Sequence, residues 1–486
     1  MRISVKSIIL AFLMLVLSLS VATNSLNSEV ENSTLEDTSE PLNVILPLAN
    51  LNVPGFQESS IYTNSTFSSG AYHSCAILDD GTVSCWGRNN HGQLGDGTTT
   101  DRNTPTQTSS LGNGRSAVAI SAGYWHTCAI LDDGSVSCWG NGGAGRLGDG
   151  TQGDRTTPTQ TASLGTGRTA VAIVAGIFHT CVILDDGTVS CWGDNDYNQI
   201  GDGTNSDRLT PTQTASLGTN NTAVAISAGE QHTCVILNNG TVSCWGTNTY
   251  GQLGDGTSLT RSTPTPTSSL GSGSEAVAIT SGSYHICTIL DNGTVSCWGR
   301  NNHGQLGDGT TTDRNTPTQT SSLGNGRTAV AISAGYYHHA CALLDDNTVT
   351  CWGDNTDGRL GDGTQVDRSS PTQTSSLGSG RTGIAITSGS DHSCVIIDNG
   401  TISCWGNNDY NQIGDGTNSD RLTPTQTSSL GTGRTVAVSE RDLDNDGILN
   451  IFDTFPFPIY SQPNVLGFQE GSIFSDTTLS SGSFRT

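Results

Sequence analysis

The stretch HSCAILDDGTVSCWGRNNHGQLG, from His73 to Gly95, decides the fold, because related versions of it occur seven times along the chain. Each version carries two cysteines separated by nine residues, and the first cysteines recur every 53 residues, with one spacing of 54. A fixed period in this range is typical of a propeller, a solenoid or an array. The longer spacing has a visible cause, since Tyr337-His338-His339 holds one residue more than the other copies.

Each repeat predicts four short strands and no helix. Ala117 to Ser121 alternates small and β-branched residues, as a half-buried strand does. Ser74 to Leu78 and Thr82 to Trp86 flank an Asp-Asp-Gly turn, which predicts a hairpin with glycine at the left-handed position. Pro105 to Thr108 predicts a fourth strand at the edge of the sheet, where proline is tolerated.

Seven units of this kind predict an all-β fold, a seven-bladed β-propeller of four-stranded antiparallel blades. A closed ring is favoured because an open stack leaves a strand edge exposed at each end. Cys85 to Arg115 is identical to Cys297 to Arg327, four repeats later. We interpret this identity as the duplication of a four-repeat block followed by the loss of one repeat.

The repeated residues resemble the regulator of chromosome condensation repeat family. Its signature is His-x-x-x-Leu, then Asp-Gly-x-Val-x-x-Trp-Gly-x-Asn-x-x-Gly-Gln-Leu-Gly, and the first repeat departs from it only in that His73 precedes Leu78 by five residues. The resemblance covers about Ser68 to Ser439 and implies a seven-bladed propeller, not an activity. The nuclear founder of the family exchanges guanine nucleotide on a small GTPase and binds chromatin, whereas members with signal peptides resemble extracellular protein-binding scaffolds. The matching positions are His73, Leu78, Asp80, Gly81, Val83, Trp86, Gly87, Asn89, Gly92, Gln93, Leu94 and Gly95.

The paired cysteines predict one disulfide in each blade. Cys75 and Cys85 are equidistant from Asp80, so a three-residue loop with a glycine bulge places them on a close, non-hydrogen-bonded pair. The alternative is a zinc site that adds His73, which shares a strand face with Cys75. Seven copies favour disulfides, with each repeated histidine as a packed structural residue. The predicted pairs are Cys75–Cys85, Cys128–Cys138, Cys181–Cys191, Cys234–Cys244, Cys287–Cys297, Cys341–Cys351 and Cys394–Cys404.

Residues 1–22 predict a secretory signal peptide. Arg2 and Lys6 precede an apolar run from Ile8 to Leu19, and small residues follow it. An uncleaved anchor is the alternative, but the run is shorter than the ~18–20 residues of a membrane span. Export implies a secreted or cell-surface protein in a setting where disulfides persist. The further expected divisions are an acidic leader at 23–60, the propeller at 61–439, a calcium-loop segment at 440–460, and a tail at 461–486.

The tail repeats the leader: Asn52 to Glu58 returns, with one substitution, as Asn464 to Glu470. We expect either that the chain stops at the start of a second propeller or that the tail mimics the leader.

Asp442 to Asp453 predicts a structural calcium loop. Oxygen-bearing side chains occupy positions 1, 3, 5, 9 and 12, glycine occupies position 6, and Ile448 offers its backbone carbonyl at position 7. Aspartate at position 12 makes the segment resemble dockerin and extracellular calcium-repeat loops, and an acidic linker is the alternative. The expected Ca²⁺ ligands are Asp442, Asp444, Asp446, Ile448, Asn450 and Asp453.

A binding surface is expected where the repeats differ while the frame stays constant. The two positions between the glycine and the histidine vary in this way, and aromatic residues on a rigid rim are common anchors of interfaces. Filling gaps between blades is the alternative role. A second variable set follows each Trp-Gly, as in Arg88 to His91. The candidate binding residues are Tyr72, Trp125, Phe178, Gln231, Tyr284, Tyr337 and Asp391.

Composition limits the function. The 486 residues hold 44 acids and 20 bases, a net charge of −24, which argues against nucleic-acid binding. The sequence holds no nucleophile elbow, no His-Glu metal helix and no phosphate loop before a helix. We therefore expect a monomeric, non-catalytic scaffold that binds a protein or a surface polymer. The alternatives are a guanine-nucleotide exchange regulator by family analogy and an extracellular hydrolase or lyase at the propeller mouth.

Overall fold

The computed structural model describes residues 65–112 and 114–437. These residues form seven sheets, each of four consecutive antiparallel strands, arranged as the seven blades of a β-propeller. The fold expected from the sequence is therefore confirmed. The only helical turn in the described residues is the 3₁₀ turn Gly143–Gly145. None of the helical structure described is long and apolar enough to cross a membrane.

The strands follow one another in chain order, four to a blade. Their bounds are β1 Phe67–Ser69, β2 His73–Ile77, β3 Val83–Gly87, β4 Arg102–Gln107, β5 Ala117–Ala122, β6 His126–Leu131, β7 Val136–Gly140, β8 Arg155–Gln160, β9 Ala170–Ala175, β10 His179–Leu184, β11 Val189–Gly193, β12 Arg208–Gln213, β13 Ala223–Ala228, β14 His232–Leu237, β15 Val242–Gly246, β16 Arg261–Pro266, β17 Ala276–Ser281, β18 His285–Leu290, β19 Val295–Gly299, β20 Arg314–Gln319, β21 Ala329–Ala334, β22 His339–Leu344, β23 Val349–Gly353, β24 Arg368–Gln373, β25 Gly383–Ser388, β26 His392–Ile397, β27 Ile402–Gly406 and β28 Arg421–Gln426.

The first strand of each blade is the innermost, and the glycine that follows it touches the next blade. The Ala71 amide donates to the Gly123 carbonyl at 3.1 Å, and the Ser390 amide donates to the Ala71 carbonyl at 3.3 Å, from the seventh blade to the first. A β-carbon on Gly123 would lie 2.5 Å from the Gly176 carbonyl oxygen. Glycine is required here because the backbones of neighbouring blades meet at the axis.

The predicted hairpin and disulfides are confirmed. Cys75 lies opposite Cys85 in the β2–β3 register, with 4.1 Å between their α-carbons. The Leu78 amide donates to the Thr82 carbonyl at 2.8 Å, and Gly81 has a φ of 77°, as the three-residue bulged loop requires. All seven disulfides are formed and buried, so no thiolate is left for the alternative zinc site. The fourth strand begins at Arg102, three residues earlier than its proline suggested.

The hydrophobic core is divided among the seven boundaries between blades. Each boundary has its own cluster, and each contains the fully buried tryptophan of one Cys-Trp-Gly motif. Trp86 Nε1 donates at 3.0 Å to the Gln412 carbonyl in the seventh blade. Six of the seven tryptophans donate such a hydrogen bond to the neighbouring blade, whereas Trp139 Nε1 has no partner among the described residues.

A repeated hydrogen-bond chain crosses the same boundaries. His73 Nε2 lies 2.8 Å from Thr127 Oγ1 of the next blade, and that hydroxyl donates at 2.9 Å to the Gln93 carbonyl. Because the Thr127 hydroxyl donates its hydrogen bond to the carbonyl, it can only accept a hydrogen bond from the imidazole of His73. The histidine is therefore the neutral tautomer that carries its proton on Nε2. The predicted structural role of the histidines is thereby confirmed. The same link joins His126–Thr180, His179–Thr233, His339–Ser393 and His392–Ser74.

Two boundaries lack this link. Ile286 and Ala340 stand where the other blades carry the hydroxyl, 54 and 55 residues after His232 and His285. The Nε2 atoms of these two buried histidines have no hydrogen-bond partner among the described residues. The inserted residue in the sixth repeat accounts for the longer separation.

Both ends of the described chain build the inner strand of the first blade. Phe67–Ser69 pairs with β2, and Val436 bridges to Leu78 on the same edge, one step further along. The Ala437 amide donates to the Ile77 carbonyl at 2.9 Å. The position of Val436 matches that of Ala117, which pairs with Leu131 in the second blade. The ring is thus closed by a strand assembled from two segments.

Candidate binding face

The two variable sets of positions lie on one face of the propeller. The turn between the first and second strands and the loop between the third and fourth strands emerge at the same end of each blade. In the first blade the Arg88 amide donates to the Tyr72 carbonyl at 2.9 Å, which joins the two segments. We call the surface formed by these turns and loops the loop face.

Six of the seven candidate binding residues hold equivalent positions on the loop face. In each, the backbone carbonyl accepts the amide that follows Trp-Gly, as Trp125 accepts from Asn141 at 2.8 Å. All six side chains are half-buried. The residues are Tyr72, Trp125, Phe178, Gln231, Tyr284 and Asp391.

Tyr337 does not hold the equivalent position in the sixth blade. The carbonyl that accepts from the Asp354 amide, at 2.8 Å, belongs to His338. His338 is the residue that absorbs the insertion, with a φ of 62°. His338 therefore takes the place expected for Tyr337, and Tyr337 lies one step nearer the axis.

Tyrosines from three blades meet over the axis. The Tyr124 hydroxyl lies 2.9 Å from the Tyr72 hydroxyl and 2.8 Å from the Tyr337 hydroxyl. The buried Tyr336 donates its hydroxyl to the Ala175 carbonyl of the third blade at 2.9 Å. Burial raises the pKa of Tyr72 and of Tyr124, so these two hydroxyls stay protonated and can donate hydrogen bonds at physiological pH. Tyr124 and Tyr336 occupy the first of the two variable positions, directly after the glycine. Only the fold shows that their side chains reach blades on the other side of the propeller axis.

Two arginines lie against aromatic rings of the loop face, Arg88 directly after Trp-Gly and Arg146 at the position that Gln93 holds in the first repeat. Arg88 lies 4.5 Å from the ring centre of Tyr410 and 5.4 Å from that of Tyr72. Arg146 lies 5.4 Å from the ring of Phe178 and 6.0 Å from that of Trp125. Cation–π contacts hold such guanidinium groups in place. We call Arg88, Arg146, Tyr72, Tyr124, Trp125, Phe178 and Tyr410 the aromatic sector.

Trp125 is the side chain of the aromatic sector with the clearest unmet hydrogen-bonding capacity. Its ring packs edge-on against Tyr124, with 4.6 Å between ring centres, and against His91 at 5.6 Å. The side chain remains half-buried, but its Nε1 is out of reach of solvent and has no hydrogen-bond partner among the described residues. Packing between blades therefore accounts for part of the role of Trp125, and its Nε1 donor makes no hydrogen bond to the described residues.

The sixth and seventh blades carry an acidic part of the loop face. Arg359 is buried and pairs with Asp357 and Asp391, each at 2.9 Å. Burial raises the pKa of Asp391 to about 6, repulsion from Asp357 and Asp354 adds to the rise, and the attraction of Arg359 opposes it. The candidate residue Asp391 thus belongs to an ion-pair network and not to the aromatic sector.

The repeated Gly-Asp-Gly-Thr motif is structural. Asp96 Oδ1 accepts from the Thr98 amide at 2.9 Å, and Asp96 Oδ2 pairs with Arg102 at 2.6 Å. The carboxylate is thus committed to a turn and an ion pair, as expected for a turn device.

The predicted calcium ligands lie outside the described residues, as do the predicted signal peptide, leader and tail. Those interpretations stay predictions. The ligands in question are Asp442, Asp444, Asp446, Ile448, Asn450 and Asp453.

Comparison with known proteins identifies the family. Residues 32–338 match the model of the RCC1-like domain, and segments at 329–359 and 384–412 match the regulator of chromosome condensation (RCC1) repeat. Further segments at 346–396 and 399–439 match that repeat as well. The chain belongs to the RCC1 repeat family.

Two curated relatives differ in the share of their own length that matches this chain. The chain is 32% identical over 358 residues to the ultraviolet-B receptor UVR8 of Arabidopsis thaliana, covering 74% of this chain and 80% of that receptor. It is 32% identical over 291 residues to the E3 ubiquitin-protein ligase HERC2 of Homo sapiens, but that match covers only 6% of the ligase. The chain therefore corresponds to most of the receptor and to a small part of the ligase.

Solved RCC1 structures share the fold. Yeast RCC1 (Prp20), solved in complex with Kap60, aligns with a TM-score of 0.64 at 19% identity, over 81% of this chain and 91% of that chain. A second structure of Prp20p, from Saccharomyces cerevisiae, aligns with a TM-score of 0.64 at 21% identity, over 76% and 90%. At these identities the likeness concerns architecture alone.

Proposed function

We propose that this RCC1-family chain is an exported, non-catalytic scaffold whose loop face binds a protein partner. The observation that carries the proposal is the aromatic sector, in which partly exposed tyrosine and tryptophan rings lie against the guanidinium groups of Arg88 and the buried Arg146. Tyrosine, tryptophan and arginine dominate the energetics of protein interfaces. Export is supported by the predicted signal peptide and by seven disulfides, which persist in oxidising compartments.

The frame suits this role because it holds the sector rigidly. Each blade is joined internally by a disulfide and externally by the histidine–hydroxyl chain at five boundaries. A rigid surface loses less conformational entropy on binding than a mobile loop. The titles of the two yeast structures describe RCC1 bound to Kap60 and binding of Prp20p to Gsp1p and histones, so protein binding by this architecture has precedent.

Capture from culture supernatant by the immobilised mature chain tests the proposal. We expect Trp125→Ala to abolish capture of a defined band while lowering the melting temperature only slightly, because the side chain is half-buried and its packing contacts are few. Leu259→Ala is the matched control, because Leu259 is 63% exposed and stands outside the aromatic sector. Equal loss of capture and stability in Trp125→Ala would make Trp125 a packing residue and contradict the proposal. Capture that survives protease treatment of the supernatant would identify a surface polymer as the partner instead.

A further inference from the structure

His303, Asp354 and Asp367 bring metal-ligating atoms together where the loops of the fifth and sixth blades meet. One ligand atom from each residue lies within 4.8 Å of the others. His303 Nδ1 is 3.1 Å from Asp367 Oδ2 and 3.6 Å from Asp354 Oδ2. A tetrahedral ion with bonds of about 2.1 Å separates its ligands by about 3.4 Å. The measured distances bracket that value.

Hydrogen bonds orient both carboxylates so that one oxygen of each faces the imidazole. Asp354 Oδ1 accepts from the Thr356 amide at 2.8 Å and from its hydroxyl at 2.7 Å. Asp367 Oδ1 accepts from the Asn355 amide at 2.9 Å. The Oδ2 atoms are left to face His303. Outer hydrogen bonds of this kind orient the ligands of protein metal sites.

Among the described residues, one guanidinium pairs with the cluster, and two further carboxylates share it. Arg359 Nη1 is 3.9 Å from Asp354 Oδ2, but Arg359 makes closer pairs with Asp357 and Asp391. The His303 ring stacks on His338, with 5.1 Å between ring centres and 7° between planes. The imidazole is thus held in position by packing while its Nδ1 points at the two carboxylates.

The boundary between the first and second blades supplies an internal comparison. His91 lies in a loop identical in sequence to that of His303, and its Nδ1 is 2.9 Å from Asp154 Oδ2. The residue equivalent to Asp354 there is Asn141, whose Nδ2 lies 3.1 Å from His91 Nδ1. Asn141 places an uncharged amide where Asp354 places a carboxylate, so the cluster at His91 has one anionic ligand fewer. In the described part of the chain, only the cluster at His303 combines one imidazole with two carboxylates in this way.

We propose that His303 Nδ1, Asp354 Oδ2 and Asp367 Oδ2 bind one divalent transition-metal ion, with Zn²⁺ as the probe. An imidazole ligand favours transition metals, whereas Ca²⁺ takes oxygen ligands only. The fourth position faces solvent, since the side chains of His303 and Asp367 are 34% and 46% exposed. The site is separate from the predicted calcium loop, and it does not depend on the proposed function.

Calorimetric titration of the untagged mature chain with Zn²⁺ tests the site. We expect Asp367→Asn to weaken this binding by about 100-fold or more, because even outer-shell substitutions cost ~10–100-fold. Asp154→Asn, the equivalent change at the first boundary, leaves it unchanged. Asn141→Asp completes the His91 cluster and is expected to raise the stoichiometry by one ion.

A wild-type chain without Zn²⁺ binding would overturn the proposal, and so would binding that Asp367→Asn leaves intact. Displacement of the bound zinc by a tenfold excess of Ca²⁺ would also overturn the proposal. Ca²⁺ binds oxygen ligands only, so such displacement would show that the imidazole of His303 does not hold the ion. Melting temperatures equal to wild type confirm that Asp367→Asn, an exposed substitution, is folded. Co²⁺ offers a second readout, since its visible absorption reports imidazole and carboxylate ligation and is lost in Asp367→Asn.

Discussion

His73 of the first blade and Thr127 of the second share a hydrogen bond of 2.8 Å between Nε2 and Oγ1, inside a boundary that solvent does not reach. The Thr127 hydroxyl donates a hydrogen bond to the Gln93 carbonyl. The imidazole, the hydroxyl and the carbonyl are therefore all hydrogen-bonded across the boundary between two blades. A hydrogen bond to a buried group stabilises by about 1 kcal/mol, and an orphaned partner costs more. The boundaries at Ile286 and Ala340 lack this contribution.

We predict that Ala340→Ser raises the free energy of unfolding by about 0.5–1.5 kcal/mol. The new hydroxyl would accept from His285 and donate to the Gln305 carbonyl, as Ser393 does between His339 and Arg359 in the next boundary. Urea denaturation followed by tryptophan fluorescence measures the change.

Thr127→Val is the converse substitution and is expected to lower the free energy of unfolding by about 1–3 kcal/mol, because it orphans the His73 donor. Ala342→Ser is the matched control, since Ala342 is equally buried two residues further along the same face of the same strand, at a position where no histidine–hydroxyl link is made in the described blades. An Ala340→Ser chain no more stable than Ala342→Ser would contradict the account.

Acid is expected to destabilise the propeller through its seven buried histidines. Burial lowers the pKa of His73, His179, His232, His285 and His392 to about 3, and lowers the pKa of His126 and His339 as well. The unfolded chain, with a histidine pKa of about 6.5, binds protons that the folded chain excludes. Stability is therefore complete above about pH 6.5 and falls as the pH drops toward 3, by about 1.4 kcal/mol per histidine at pH 5.5.

Urea midpoints at pH 7.5 and pH 5.5 measure this effect with the disulfides intact. Replacement of the partly exposed His91 by glutamine is the control and should preserve the pH dependence. Equal midpoints at the two pH values would show that the histidines are not neutral in the folded state.

Closure of the ring is expected to depend on Val436. This side chain is 1% exposed and packs in one cluster with Phe67, Leu78 and Trp86. Val436→Asp places a charge in that cluster and is predicted to destabilise the chain by more than about 3 kcal/mol. Val436→Ala is the control with a much smaller effect, because Ala117 fills the equivalent place in the second blade. Thermal unfolding distinguishes the two, and similar melting temperatures would show that this segment does not close the ring.

Calcium binding by residues 442–453 stays a prediction and is tested on the full mature chain. We expect Asp442→Asn with Asp446→Asn to remove one bound Ca²⁺, because both carboxylates occupy ligand positions of the loop. Asp409→Asn, an exposed acid of the propeller, should leave calcium binding unchanged. Equilibrium dialysis with ⁴⁵Ca measures the stoichiometry, and an unaltered value in the double variant would favour an acidic linker.

Local patterns account for most of the fold. The nine residues between paired cysteines, with glycine at the turn, define a hairpin whose register follows from alternation alone. The repeat period then sets the number of blades. The start of the fourth strand at Arg102 cannot be predicted from the sequence. Gly87 pairs with Arg102 across a register shift, and no residue pattern near Arg102 indicates that shift.

The candidate site required the tertiary structure in two respects. The chain has an extra residue at Tyr337-His338-His339, but only the backbone shows that His338 absorbs it and that Tyr337 moves toward the axis. Tyr124 and Tyr337 are 213 residues apart, and their contact arises from ring closure. Long-range contacts of this kind leave no trace in the spacing of a single repeat.

The two-part inner strand of the first blade has a consequence for biosynthesis. During synthesis Phe67 is made early and Val436 some 370 residues later. The inner strand of the first blade is therefore incomplete until the other six blades have been synthesised. During that interval the β2 edge at Leu78 stays unprotected. The fraction of nascent chain that folds instead of aggregating would then depend on two factors. One is a chaperone that covers exposed strand edges, and the other is oxidation of the early cysteines before the last blade is synthesised.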